Sequence, residues 1–127
     1  MRLLLDTHTL AWWAEGSSDL PSSVRAAIGD PANTVLFSAV SAYELALKNT
    51  IGKWPNAPML LAELDTLPDR GFAALSLTVA HARLAGGLPL THRDPFDRML
   101  AAQALVEELT IVSTDDQLDQ FGVRRLW

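Results

Sequence analysis

The segment RLLLD (2–6) constrains the fold more than any other: an uninterrupted apolar run closed by a carboxylate. A run of this length reads as a buried strand. Strand and helix then alternate along the chain. THTLAWWAE reads as a short helix with Thr7 as its cap, and PSSVRAAIGDP as a second helix ended by Gly29 and Pro31. TVLFS (34–38) is β-branched and apolar, the second strand. A strong helix, SAYELALKNTIGK, begins at Ser41, and Ser41 followed by Glu44 has the form of a capping box. PMLLAELDTLPDRG is the next helix and FAALSL (72–77) the next strand. TVAHARLAGG is a helix stopped by a glycine pair, and LPLTHR a loop. DPFDRMLAAQALVEE (94–108) is a long helix with Pro95 near its start, where proline is tolerated. TIVST (110–114), a short helix DDQLDQFG and a last strand VRRLW complete the chain. This order implies a single α/β domain over residues 1–127, with a mostly parallel central sheet of four to five strands flanked by helices.

Composition narrows the chemistry. With no cysteine, a disulfide framework, a thiolate-held zinc and a thiol nucleophile are excluded. Cytoplasmic residence fits that absence. The acid at position 6 cuts short the opening leucines, so the start does not read as a signal peptide. No later run approaches the roughly 18 apolar residues of a membrane span. The net charge of −5 argues against a nucleic-acid partner only if the acids are scattered. A divalent ion bound among clustered carboxylates reverses the local sign.

The acids are not scattered. Ligands in parallel sheets bind beyond the carboxyl ends of the strands. Asp6 ends the first strand, and Asp115 and Asp116 follow TIVST. Glu44 lies one turn into the helix after TVLFS, and Asp94 and Asp97 open the long helix. Each has a plain alternative. Asp6 could be a strand-end cap, though DTH after a buried strand favours function; Glu44 could be the acid of a capping box, Asp94 an N-cap, Asp97 a macrodipole partner, and Asp115 or Asp116 caps of the following helix. Their agreement across four distant segments is what points to a site. Clustered carboxylates repel unless they share protons or a cation. Oxygen donors without cysteine or paired histidine suit Mg²⁺ or Mn²⁺. The chemistry that follows is metal-assisted phosphodiester hydrolysis.

LLLDTHTLAWW, SAVSAYELALKNTIGKW, HRDPFDRMLAAQA and IVSTDDQL occur in this order and at similar spacings in PIN-domain proteins. More closely, the chain resembles the VapC-like toxins of type II toxin–antitoxin pairs. The resemblance spans nearly the whole chain, and HRDPFDRMLAAQA is its most specific piece. It implies an α/β sheet domain, an Mg²⁺- or Mn²⁺-dependent endoribonuclease activity, a cognate antitoxin as partner, and a homodimer. It assigns the metal-binding and catalytic roles to Asp6, Glu44, Asp97 and Asp115, with Asp94 as an additional ligand. Tyr43 stands where the pattern usually has Trp, and Ser113 where Thr is more usual; neither change removes a ligand.

Around these acids, Arg98, Thr7, Ser113 and Arg93 are the substrate-binding candidates. Arg98, adjacent to Asp97, either neutralises the cluster or holds a phosphate, with a surface ion pair as the plain alternative. Thr7 and Ser113 orient a carboxylate or cap a helix, and His92 with Arg93 sits in a loop suited to a phosphate contact. His8 is a candidate RNA contact or a surface histidine, and His81 reads as structural and distant from the acids. The three histidines lack a metal-ligand spacing. Lys48, one turn after Glu44, reads as its i,i+4 partner. Trp12, Trp13 and Trp54 read as core or interface. A groove between the helices SAYELALKNTI and PMLLAELDTL, rich in leucine around Leu61 and Leu64, is expected to receive an antitoxin helix. Three rival functions stay open: a DNA-directed metal nuclease, a non-catalytic binding module, and a phosphatase-like hydrolase using Asp6 as nucleophile. The last is weakened because the residue two beyond Asp6 is not a second aspartate.

Overall fold

The computed structural model describes residues 1–127. Its strands are β1 (Arg2–Leu5), β2 (Thr34–Ser38), β3 (Ala73–Leu75), β4 (Thr110–Val112) and β5 (Arg124–Leu126). Its helices are α1 (Thr7–Glu15), α2 (Ser22–Gly29), α3 (Ala39–Thr50), α4 (Ala57–Leu64), α5 (Val79–Gly87) and α6 (Pro95–Val106), with 3₁₀ turns at Leu67–Arg70 and Asp116–Phe121.

The five strands form one sheet in the order β3-β2-β1-β4-β5, and every pairing is parallel. β1 sits at the centre, with Leu4 in register with Leu36 on one side and Ile111 on the other. Strand side chains alternate between faces. Leu3, Leu5, Val35, Phe37 and Val112 join one buried cluster with residues of α1, α2, α3 and α4. Leu4, Leu36 and Ile111 join a second with Leu100, Ala101 and Ala104 of α6. Both faces are therefore dry, which is why RLLL carries no polar alternation. α5 packs against α6.

Several boundaries differ from the sequence expectation. α3 starts at Ala39, because the Ser38 side chain accepts from the Val40 amide and caps the helix three residues before the expected cap, Ser41. Glu44 is thereby released from any capping role. The segment 58–71 is not one helix: α4 ends at Leu64, and a 3₁₀ turn containing Pro68 follows, closed by Gly71 at φ 88°. Proline lacks the amide that a continuing helix needs. Thr7 is the first residue of α1 rather than its cap; that role belongs to Asp6.

Candidate metal centre

Parallel strands deliver their carboxyl ends to one edge of the sheet, and the acids gather there. Asp6 follows β1 directly. Its amide donates to the Val112 carbonyl of β4 at 3.1 Å, and its carboxylate accepts from the Thr9 amide at 2.8 Å. The Thr9 hydroxyl donates to the same Val112 carbonyl at 2.9 Å. One aspartate thus caps α1 and fixes the junction of β1 with β4. Only 5% exposed, its carboxyl is raised above the ordinary aspartate range by burial, while hydrogen bonds from Ser113 and Thr9 and the charge of His8 oppose the rise.

Asp94 caps α6 by accepting from the amides of Phe96 at 2.9 Å and Asp97 at 3.4 Å. Asp97 sits in the first turn, half-buried. Burial pushes its carboxyl up to about 7, with Asp94, Asp6 and Asp115 adding repulsion and His92 opposing it. Asp115 caps the 3₁₀ turn through the Gln117 amide at 3.0 Å, and its own amide donates to the Ser113 hydroxyl at 3.0 Å. Carboxylates from three chain segments, Asp94, Asp6 and Asp115, therefore act on Asp97. Asp116 is exposed.

His92 is the residue the sequence did not single out for this cluster. It is buried, its Nε2 lies 2.8 Å from an Asp115 oxygen and 3.4 Å from an Asp97 oxygen, and its ring stacks on Phe121 at 6.1 Å. Donor atoms of His92, Asp97 and Asp115 all lie within 4.8 Å of one another. Lone spacing had no way to find it, because it comes from the loop before α6.

Glu44 is 4% exposed in the second turn of α3. It pairs with Lys48, whose ammonium stands 5.8 Å from the ring of Phe96, the neighbour of Asp97. Thr7 and Ser41 share a hydrogen bond of 2.9 Å that ties the start of α1 to α3. Glu44 thus has its charge already balanced by Lys48, while Asp6, Asp94, Asp97 and Asp115 have no lysine or arginine ion-pair partner.

Arg98 departs from its expected role. It is 7% exposed, and its guanidinium donates to the carbonyls of Pro89 at 2.7 Å, His92 at 2.9 Å, Ala85 at 2.8 Å, Gly86 at 3.4 Å and Leu88 at 2.7 Å. Adjacent helix residues point to different faces, so Arg98 turns away from Asp97 and clamps the end of α5 and the His92 loop. With both terminal nitrogens occupied by carbonyls, the fork is not free to grip a phosphate in bidentate fashion. Arg93, by contrast, is exposed. His81 is fully buried in a capping box with Thr78, and its Nε2 is 2.9 Å from Glu107, so it is structural but not remote from an acid.

The donor set is hard oxygen with one imidazole; burial first and repulsion from Asp94, Asp6 and Asp115 second lift Asp97, and a divalent cation relieves the repulsion. The residues present fit such an ion: Asp6, Asp97 and Asp115, with Asp94 and His92 alongside.

Comparison with known proteins bears on the fold. Sequence comparison with curated proteins finds no match. The fold is similar to a chain of VapBC2 from Rickettsia felis bound to a promoter DNA fragment, with a TM-score of 0.69, 15% identity, and coverage of 99% of this chain and 98% of that one. It is similar also to DNA-bound VapBC from Salmonella typhimurium, with a TM-score of 0.69, 20% identity and coverage of 99% and 97%. A third is VapC20 of Mycobacterium tuberculosis, a sarcin-ricin loop cleaving toxin, with a TM-score of 0.64, 16% identity and 95% of each chain covered. The PIN domain model matches residues 3–123, and with nearly its whole length inside that match the chain belongs to the PIN domain family.

Proposed function

We propose that the chain is a divalent-metal-dependent endoribonuclease, the toxin of a toxin–antitoxin pair. The observation that carries this reading is the gathering of aspartates at the carboxyl edge of the sheet, where burial and then repulsion from Asp94, Asp6 and Asp115 raise Asp97 to about 7. Asp6, Asp97 and Asp115, with Glu44 from α3 and Asp94 as an additional ligand, are the residues we assign to an Mg²⁺ or Mn²⁺ ion. When bound, such an ion supplies an activated water and neutralises charge on the phosphoryl oxygens. The protein's own part is positional. Asp6 is held rigid by the Thr9 amide, and Asp115 by His92 and by the Gln117 amide. Thr7 and Ser113 orient neighbouring groups, and exposed Arg93 is the candidate phosphate contact in place of Arg98.

Solved neighbours that are VapBC complexes support a protein partner. A groove lined by Phe37, Ala42, Leu61, Pro68 and Leu75 opens between α3 and α4 and suits an antitoxin helix. Leu64 lines it from the core side and is 9% exposed, so a charge there tests folding, whereas half-buried Leu61 tests docking. Tyr43, Leu47 and Ile51 repeat at helical spacing on α3 and are exposed, which supports self-association. Light scattering giving a monomer at micromolar concentration would remove the dimer.

The test is cleavage of total RNA by the purified protein with Mg²⁺, with EDTA, and by Asp6→Asn and Asp97→Asn. Discrete fragments requiring both metal and acids are expected. Folded protein that cuts nothing in any condition returns the chain to a binding role, and cleavage of DNA alone moves it to the DNA-directed class.

A further inference from the structure

Beside the carboxylates lies a cleft of about 520 Å³ that the metal chemistry does not use. Its volume is in the range of sites that enclose small molecules, roughly 300–1,000 Å³. His8 leads into it, two residues after Asp6. The imidazole of His8 sits between two indoles, 4.9 Å from the ring of Trp54 at an interplanar angle of 33° and 5.9 Å from that of Trp12. Lys48 stands 5.3 Å over Trp54 and, by its pair with Glu44, joins this cleft to the acidic cluster. Lys53 lines it too, exposed and without an ion pair.

Aromatic faces interleaved with cations are the ingredients of single-stranded nucleic-acid binding: the rings stack on bases, and the ammonium groups follow the backbone. In a chain of net charge −5 this local composition stands out, since Glu15 is the only acid lining the cleft. A nucleobase matches it better than an apolar peptide helix does, because cations here hold positions that a helix-binding groove gives to aliphatic side chains.

We infer that this cleft, walled by His8, Trp12, Trp54 and Lys48, is a nucleobase subsite. It holds one unpaired base of a single-stranded RNA whose neighbouring phosphate is presented to the aspartates. The inference rests on the nuclease reading and adds to it the residues that hold a base beside the cut. Paired bases expose no free face to His8 and Trp54.

Anisotropy of 3′-fluorescein-labelled pentamers with the cleavage-deficient Asp97→Asn protein measures this directly. Pentauridylate and pentaadenylate are compared with an abasic ribose-phosphate pentamer. Stacking on one aromatic platform makes the base-bearing oligomers bind roughly 5- to 100-fold tighter than the abasic one. That preference collapses in His8→Ala, an exposed position whose truncation leaves the core intact, and in Trp54→Leu. Lys53→Ala weakens all three pentamers alike. Equal binding of base-bearing and abasic pentamers overturns the subsite, as does a base preference that survives in both His8→Ala and Trp54→Leu. Variants that keep the preference but lose a co-expressed antitoxin also overturn it, and give the cleft to a protein partner. Cleavage by the wild type is followed in parallel. Base-dependent binding without cleavage sinks the nuclease reading and leaves the subsite standing. Cleavage with base-independent binding does the reverse.

Discussion

Replacing Asp97 by asparagine is expected to stabilise the metal-free protein while abolishing metal binding. The folded carboxyl ionises at about 7 instead of 3.8, chiefly through burial and then through repulsion from Asp94, Asp6 and Asp115. A displacement of that size is worth about 4 kcal/mol between the two protonation states at most. The side chain keeps 26% of its surface in water and its contact with His92 is weakened by the change, so about 2 kcal/mol is the expected gain. The sign follows from proton counting. Between 3.8 and about 7 the folded state binds the proton that the unfolded chain has released, so wild-type stability is full below the unfolded value and falls as pH rises to about 7. The amide has no charge to bury. Urea unfolding in EDTA, for both proteins from pH 5 to pH 8.5, should show a gap in favour of Asp97→Asn that widens with pH and levels off above about 7. Mg²⁺ should then stabilise the wild type at pH 8 and leave the variant nearly unchanged. A variant no more stable than wild type at pH 8 in EDTA, or a gap indifferent to pH, would refute the argument.

At metal concentrations below saturation, cleavage should climb with pH towards about 7 and flatten above it, because ligands must lose their proton to bind metal; a flat profile from pH 5.5 to 7.5 counts against Asp97 as a ligand. His92→Asn should weaken Mg²⁺ affinity or activity roughly 10- to 100-fold, as loss of a group that orients a ligand does; isothermal titration with Mg²⁺ reads this, and unchanged affinity removes His92 from the centre. Arg98→Lys should destabilise the fold by about 3 kcal/mol, since an ammonium has three donors and no fork to replace the carbonyl clamp. Its cleavage rate per folded molecule should stay near wild type, whereas a large KM increase in a stable protein restores the RNA-binding role. Lys48→Met should cost about 1–3 kcal/mol by leaving the buried Glu44 carboxylate unpaired, measured by urea midpoint against the double variant with Glu44→Gln.

Much of this architecture was legible because burial and the backbone left marks at short range. An all-apolar β1 and a β-branched β2 announce strands covered on both sides, and Thr78, Pro95 and the Gly86–Gly87 pair punctuate helices where the structure starts or stops them. Asp6, Asp97 and Asp115 were found for the same reason: strand ends and helix starts are local features, and a parallel sheet brings them to one edge. What escaped depended on contacts across the chain. His92 lies 23 residues from the Asp115 it touches. Arg98 was placed beside Asp97 by sequence adjacency, but the helix turned it to the opposite side. Gln103, fully buried, accepts the Ser38 hydroxyl proton at 2.6 Å and donates to the Ser76 carbonyl, a crosslink of α6 to the strands that looks in sequence like one more polar helix residue.

Asp6, Asp94 and Asp115 each hold the first turn of a helix with the same carboxylate that faces the cluster. Asparagine caps a helix about as well as aspartate, yet brings no charge. If the proposed ion binds there, exchanging aspartate for asparagine at Asp6 or Asp115 keeps the cap, the shape and the surfaces while removing a ligand charge. Folding and activity are written into the same atoms but respond to different properties of them, geometry in one case and charge in the other. A lineage that needs only the binding surfaces of this fold can fall silent as a catalyst without first having to survive as a less stable protein.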